Sequence, residues 1–173
     1  MPFAVDKSHS RIGFVVRHMV VSKVRGAFGS WEATAELDTS DLTKSKVSAT
    51  IDVSSIDTKE EKRDAHLRSA DFFDAEKHPK ITFVSKRIEA KGKNEFAVVG
   101  DLTIRGTTRE VTLMAEALGA GKDPWGNQRM GFELRGAIDR KDFGLTWNQV
   151  LEAGGVLVGE KVEIEIDLQV VAQ

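Results

Sequence analysis

Cysteine and tyrosine are both absent from this sequence of 173 residues. Without cysteine the chain forms no disulfide bond, has no thiolate nucleophile, and offers no cysteine ligand to zinc, an iron–sulfur cluster or haem. Apolar runs extend over only a few residues, so the sequence predicts no membrane-spanning helix. These absences exclude thiol chemistry and do not favour stable insertion into a membrane.

A large excess of charge of one sign is also absent. The 25 Lys and Arg residues are nearly balanced by 27 Asp and Glu residues, which gives a net charge of −2. Proteins that bind nucleic acids present a concentrated basic surface, so no nucleic-acid partner is predicted. The sequence also has no basic amphipathic helix, and any contact with a membrane is expected to be transient.

The amino terminus becomes polar at Asp6, which is too early for the apolar centre of a signal peptide. A cytoplasmic location is therefore expected, or a periplasmic one if a leader has been removed from the chain. With 40% hydrophobic residues, residues 1–173 are predicted to form a single domain with a substantial core.

Alternation of apolar and polar residues dominates the chain and predicts antiparallel strands with one wet face. Gly26 and Gly29 predict a bend within the third strand. A tight turn is expected at Arg105–Gly106, and a longer loop at 119–127. The predicted strands are 3–5, 11–21, 24–37, 47–53, 81–88, 96–104, 107–118, 130–138 and 161–171. About eight or nine such strands indicate a closed barrel or a sandwich.

One segment, 57–68, lacks alternation and is rich in helix formers. Thr58 and Glu61 have the spacing of a capping box, which predicts a short surface helix. The turn Asp71–Asp74 that follows carries Phe72 and Phe73 and suggests an apolar plug pinned by carboxylates. Pro79 then ends the interruption and returns the chain to strand.

Charged residues around this segment allow two interpretations. Arg63 and Arg68 are predicted to pair with Asp71 and Asp74, or to meet a phosphate on a ligand. Further along the chain, Arg140 and Asp142 are predicted to form a structural ion pair, with Phe143 and Trp147 near a pocket.

The inward positions of the predicted strands are almost wholly apolar and include no pair of carboxylates. Such a lining suits a hydrocarbon tail and is poorly suited to acid–base chemistry. The alternative is that these side chains pack on one another and fill the interior. The residues predicted to contact a ligand are Phe14, Val16, His18, Phe28, Ile51, Leu67, Phe72, Phe83, Leu102, Leu113, Phe132, Leu134, Phe143 and Trp147.

His18 is the polar member of that set and is a candidate for a hydrogen bond to a ligand headgroup, although a buried histidine more often bonds to protein. The four histidines show neither HxH nor HExxH spacing, and no metal or other cofactor is predicted. No G-x-S-x-G motif marks a nucleophilic serine.

The opening Asp6–His18, DKSHSRIGFVVRH, resembles the D-x-x-H-S-x-I-x-F-x-V-x-H opening of the YceI family of lipid-binding proteins. Similar blocks continue in order along nearly the whole chain, at 24–28, 63–74, 79–83, 100–107 and 138–145. The resemblance implies an all-β, mainly antiparallel fold: an extended, lipocalin-like eight-stranded barrel with one short helix and an apolar lumen. It implies that the lumen holds a polyisoprenoid or a similar long-chain amphiphile.

The first functional hypothesis is therefore a non-enzymatic protein that binds, stores or transports a long-chain isoprenoid lipid. One alternative is an enzyme that modifies a lipid or quinone in the pocket, with His18 as acid or base. Another is a stress-linked interaction scaffold with a filled barrel. A homodimer is a further possibility, because a loose barrel seam exposes strand edges.

Overall fold

The computed structural model describes residues 2–18, 22–148 and 158–173. Strands account for most of this part of the chain, and one α-helix, α1 (Glu61–Arg68), interrupts them. The strands are β1 (Pro2–Val5), β2 (Arg11–His18), β3 (Ser22–Phe28), β4 (Trp31–Glu36), β5 (Lys46–Asp52), β6 (Ile56–Asp57), β7 (Lys80–Gly92), β8 (Glu95–Ile104), β9 (Thr107–Lys122), β10 (Gln128–Asp139) and β11 (Val158–Ala172).

These strands form a closed antiparallel barrel. Three of its eight members are interrupted, so that β1 with β2, β3 with β4 and β5 with β6 each form one barrel strand, while β7 to β11 are continuous. Neighbours in the barrel follow one another in the chain. The last strand, β11, then closes the ring by pairing with β2, where Ile164 lies opposite Phe14, and with β1, where Ala172 lies opposite Phe3.

Each interruption has a local cause. A 3-10 turn, Lys7–His9, separates β1 from β2, and a second one, Val53–Ser55, separates β5 from β6. The bend expected from Gly26 and Gly29 lies at residues 29 and 30, between β3 and β4, and the N–H of Gly29 donates to the carbonyl of Ser55. The interruptions therefore lie beside one another on neighbouring strands.

Some predicted boundaries change. Strand β9 runs on to Lys122, so the loop expected at 119–127 starts at Asp123. Strand β2 is described as far as His18, and the remaining predicted strand residues, 19–21, lie outside the described part of the chain. The turn at Arg105–Gly106 is present, with φ values of 50° and 75°.

The predicted capping box at Thr58 and Glu61 is wrong. The side chain of Glu60 caps α1 by accepting from the N–H groups of Lys62 and Arg63. Thr58 lies too far upstream, because the chain turns at Lys59 with a φ of 67° before the helix begins. No helix in the described ranges is long and apolar enough to cross a membrane.

Candidate functional site

A cavity of about 300 Å³ lies inside the barrel. Its wall is built from alternate residues of the strands, because every second side chain of a strand faces the interior. The helix α1 and the segment after β10 complete it. Of the residues predicted to contact a ligand, those that line this lumen are Phe14, Val16, Phe28, Ile51, Leu67, Phe72, Phe83, Leu102, Leu113, Leu134 and Trp147.

Two predicted residues have other positions, and the side chain of a third, His18, is not described. Phe132 is buried in the core but is not part of the lumen wall, and Phe143 is only 1% exposed within the 3-10 turn Arg140–Phe143. The backbone of His18 pairs with Ser22 and Val158, but its side chain lies outside what the structure describes. Its predicted contact with a headgroup stays a prediction.

The wall also contains residues that the sequence analysis missed. Ile81 and Ile104 could have been found, because they share the inward side of their strands with Phe83 and Leu102. Trp31 also lines the lumen. His66 and Arg140 gave no such signal, because they lie in the helix and in a 3-10 turn, where no alternation applies. Arg63 also lines the lumen, and the sequence had indicated it only as a partner of Asp71 and Asp74 or of a ligand phosphate.

Glycines give two aromatic rings of the wall their positions. Phe14 lies across Gly26 on the neighbouring strand, and a Cβ atom on this glycine would be 2.4 Å from Cζ of the ring. Phe83 lies over Gly100, which pairs with Ser85 on the same strand, and a Cβ atom on this glycine would be 2.6 Å from Cζ of the ring. Both rings therefore rest against bare backbone, which leaves space beside them in the lumen.

One end of the barrel is covered by residues 58–79, here called the end cap, which comprise α1 and the turn after it. His66 contacts the ring of Trp147 edge to face, with centroids 4.5 Å apart, and Phe72 lies 5.4 Å from the same ring. Arg105, in the turn between β8 and β9, donates to the carbonyls of Ala70 and Gly144. The end cap is thus attached to the barrel by aromatic packing and by one bridging arginine.

The predicted ion pair between Arg140 and Asp142 is wrong. Arg140 is 3% exposed, and within the described residues no carboxylate lies within 4.0 Å of its guanidinium. The guanidinium donates instead to backbone carbonyls, those of Leu145, Trp147, Val158 and Gly159. Burial lowers the pKa of Arg140, although the negative charges of Glu160 and Asp139 oppose this shift. Arg140 therefore fastens the segment after β10 to the start of β11.

The predicted pairing of Arg63 and Arg68 with Asp71 and Asp74 is also wrong. Arg68 pairs with Glu61 on its own helix, and Asp71 lies 2.9 Å from Nε2 of His66. Arg63 donates through Nε and Nη2 to the side chain and carbonyl of Thr58.

A polar cluster lies outside the lumen, where β1 and β2 separate. The carboxylate of Asp6 accepts from Ser8, lies 2.8 Å from Nδ1 of His9, and is paired with Arg129 at 2.8 Å. Hydrogen bonds from Ser8, His9 and Arg129 hold the pKa of Asp6 well below its usual range, although burial opposes them. Both Ser8 and Asp6 contact the same ring nitrogen of His9, whereas a catalytic triad uses one nitrogen for each. The arrangement is structural.

Comparison with known proteins identifies the family. A model described as a YceI-like domain matches residues 3–170. The chain is 46% identical over 164 residues to a UPF0312 protein of Staphylococcus epidermidis, covering 94% of this chain and 93% of that protein. A UPF0312 protein of Staphylococcus aureus is 44% identical over the same shares of the two chains.

Solved structures show the same barrel. The structure of BcnA from Burkholderia cenocepacia has a TM-score of 0.84 at 27% identity, covering 95% of this chain and 98% of its own. A YCEI protein of Campylobacter jejuni has a TM-score of 0.79 at 30% identity, covering 91% and 90%. A polyisoprenoid binding domain from Saccharophagus degradans, at 15% identity and a TM-score of 0.74, shares the fold, covering 99% and 98%. With a family model that spans nearly its whole length and relatives of this similarity, the chain belongs to the YceI family.

Proposed function

We propose that this protein is a non-enzymatic carrier that binds a long-chain isoprenoid or a related amphiphilic lipid in the barrel. The observation that carries the proposal is the apolar lumen of about 300 Å³, whose wall includes most of the residues predicted to contact a ligand. Membership of the YceI family and the polyisoprenoid binding domain among the structural neighbours favour lipid binding. The presence of a cavity counts against the filled scaffold.

The size of the tail follows from the free energy of binding. Micromolar affinity requires about 8 kcal/mol, and association costs roughly 4 kcal/mol or more. At about 0.8 kcal/mol for each buried methylene, on the order of fifteen methylene equivalents must be buried. Short chains are therefore expected to bind weakly and long acyl or isoprenoid chains to bind well.

The test is a binding series with delipidated protein. The protein is titrated with octanol, dodecanol and hexadecanol, and then with farnesol and geranylgeraniol. Binding is measured by the change in tryptophan fluorescence. Trp31 and Trp147 line the lumen, whereas Trp125 is 80% exposed and its emission is removed by the Trp125→Phe substitution. We expect affinity to rise about fourfold for each methylene until the lumen is full. An affinity that does not depend on chain length would contradict the proposal.

A matched pair of variants controls for binding elsewhere. Ala49 lines the lumen, and its neighbour Thr50 is exposed on the outer side of the same strand. Ala49→Phe is expected to reduce lumen space and to weaken binding of hexadecanol at least tenfold, whereas Thr50→Phe is expected to leave binding unchanged. Native mass spectrometry of the purified protein gives the mass of any retained lipid directly.

A further inference from the structure

Within residues 2–18, 22–148 and 158–173, the unexposed charged side chains of the lumen wall lie at one end. Thr34 and Ser48, on neighbouring strands, satisfy each other by a hydrogen bond of 2.6 Å, and the exposed Asp167 lies 3.7 Å from Arg135. Arg17 is exposed and lines a separate surface pocket with Lys23 and Glu163. The remaining polar residues of the wall within the described ranges are Arg63, His66 and Arg140, and they lie at the end that the end cap covers. Positive charge is thus concentrated where a tail in the lumen would end.

Arg63 is the cation of this group with unused donors. Its Nε–H donates to Oγ1 of Thr58 at 2.7 Å and its Nη2 to the carbonyl of the same residue at 2.6 Å. Thr58 is itself buried and is held by Asp64 through its N–H and its hydroxyl. These hydrogen bonds fix one edge of the guanidinium, and because the group is planar and rigid they also fix the orientation of its other edge.

The remaining part of this guanidinium has no partner in residues 2–18, 22–148 and 158–173. Nη1 of Arg63 makes no hydrogen bond there, and no carboxylate lies within 4.0 Å of the group. Arg140 differs, because its donors are engaged by carbonyls. A half-buried guanidinium that borders an apolar space is well matched to an oxyanion, which can accept two parallel hydrogen bonds.

We propose that the lipid carried in the lumen has an oxyanion headgroup, a carboxylate or a phosphate monoester, which binds to Arg63 beneath the end cap. This rests on the proposed function and adds the chemistry and the direction of the ligand. The headgroup lies at the α1 end and one tail extends into the lumen, because an eight-stranded barrel has room for a single narrow ligand. Arg140 contributes positive potential without being a donor to the headgroup.

The test compares ligands with the same tail and different headgroups. Hexadecanoic acid, hexadecyl phosphate and hexadecanol are delivered to the delipidated protein from cyclodextrin. Either or both of the anionic ligands is expected to bind at least tenfold more tightly than the alcohol. The comparison of acid with phosphate identifies the source of the oxyanion. Equal affinity for all three would overturn the inference while leaving lipid binding intact.

Variants separate charge recognition from packing. Arg63→Gln is expected to weaken the preferred anion about tenfold and to leave hexadecanol unchanged, and Arg63→Lys is expected to retain part of the preference. Arg68→Gln is the control, since Arg68 pairs with Glu61 and does not line the lumen. An equal loss for anion and alcohol in Arg63→Gln would assign this residue to packing and overturn the inference.

A measurement on the unaltered protein avoids any effect of the variants on folding. With hexadecanoic acid labelled with carbon-13 at its carboxyl group, the chemical shift reports the ionisation of the bound headgroup. We expect the bound carboxyl group to have a pKa below that of the same acid in a lipid bilayer, because a cation favours the charged form. A raised pKa would place the headgroup in an apolar part of the lumen and refute the contact. If neither the anions nor the alcohol bind, both this inference and the proposed function fail.

Discussion

At the scale of single residues, Asp6 shows how one carboxylate joins distant parts of the chain. It accepts from Ser8 in its own turn and pairs with Arg129 from β10. Arg129 also pairs with Asp123. Burial alone would raise the pKa of Asp123, but hydrogen bonds from Arg129 and Asn127 have the larger combined effect and lower this pKa to about 2. The cluster therefore ties the start of the chain to the loop between β9 and β10.

Because the pKa of Asp6 is depressed in the folded state, its stabilising effect is present above the pKa of an unfolded aspartate, about 4, and is lost as the pH falls towards the folded value. We expect Asp6→Asn to lower the free energy of unfolding at neutral pH by about 1–3 kcal/mol. The difference from the unaltered protein should shrink below about pH 4. Urea denaturation across a pH series measures it.

Asp142→Asn is the control for this prediction, because Asp142 is exposed and has no ion pair in the described residues. If the stability of Asp6→Asn runs parallel to that of the unaltered protein at every pH, the carboxylate is not the source of the effect.

Charge pairing was the part of the site that the sequence predicted least well. Arg140 lies two positions from Asp142, yet its guanidinium is turned towards the carbonyls of Leu145 and Gly159. Nearness in sequence does not set the direction of a side chain, and buried carbonyls compete with carboxylates for an arginine. The same applies to Arg63, which bonds to Thr58.

At the scale of elements, the end cap is held in place mainly by its contacts with other parts of the chain. The helix α1 has eight residues, which is too short to be stable alone in water. Its position depends on the packing of His66 and Phe72 against Trp147 and on the bridge from Arg105. The end cap is therefore expected to open more readily than the barrel beneath it.

Removal of the bridge should loosen the end cap selectively. Arg105→Ala loses the hydrogen bonds to Ala70 and Gly144, so amide hydrogen exchange in residues 61–74 is expected to accelerate about tenfold. Bound lipid should also dissociate faster, with little change in the exchange of β8 and β9.

The matched control is Arg87→Ala, which removes an arginine exposed on the outer side of β7. Equal rates of amide hydrogen exchange in residues 61–74 of both variants would show that Arg105 does not hold the end cap in place.

The strands were predictable and the helix cap was not, for a common reason. Alternation of side chains depends on strand geometry alone, so burial on one face can be read from residues such as Ile81 and Phe83. A cap depends on where the chain turns, and the positive φ of Lys59 moved the helix start so that Glu60 became the cap. The position of such a turn cannot be predicted from a repeating pattern of residues.

At the scale of the whole molecule, the length of tail that the lumen can hold depends on the positions where glycine leaves its wall without a side chain. Gly26→Val would place side-chain atoms where the ring of Phe14 now lies, which forces the ring into the lumen. We expect the variant to lose about 1–3 kcal/mol of stability and to lose binding of the longest tails first. Thermal unfolding and the alcohol series measure the two effects.

A second substitution tests the cause. In Gly26→Val with Phe14→Ala the displaced ring is absent, so binding of long tails should recover relative to Gly26→Val alone. Failure to recover would mean that the loss comes from distortion of β3 and not from filling of the lumen.

The alternation of apolar and polar residues could not predict that the barrel encloses a lumen. Inward positions such as Phe28 and Phe132 look alike in sequence, but the first lines the cavity and the second fills the core. Whether inward side chains meet across a barrel depends on its width and on glycines such as Gly100, which only the assembled strands define. The resemblance to a family, and not the pattern, indicated an open interior.

The closure of the barrel by its first and last strands has a consequence for synthesis. Of these strands, β1 and β2 leave the ribosome first and their partner β11 emerges last, so the ring stays open until β11 has been synthesised. During that interval the apolar inner face and two unpaired strand edges face the surroundings. A nascent chain in this state can meet its lipid before the wall exists, and the ligand would then be enclosed as the final strand pairs.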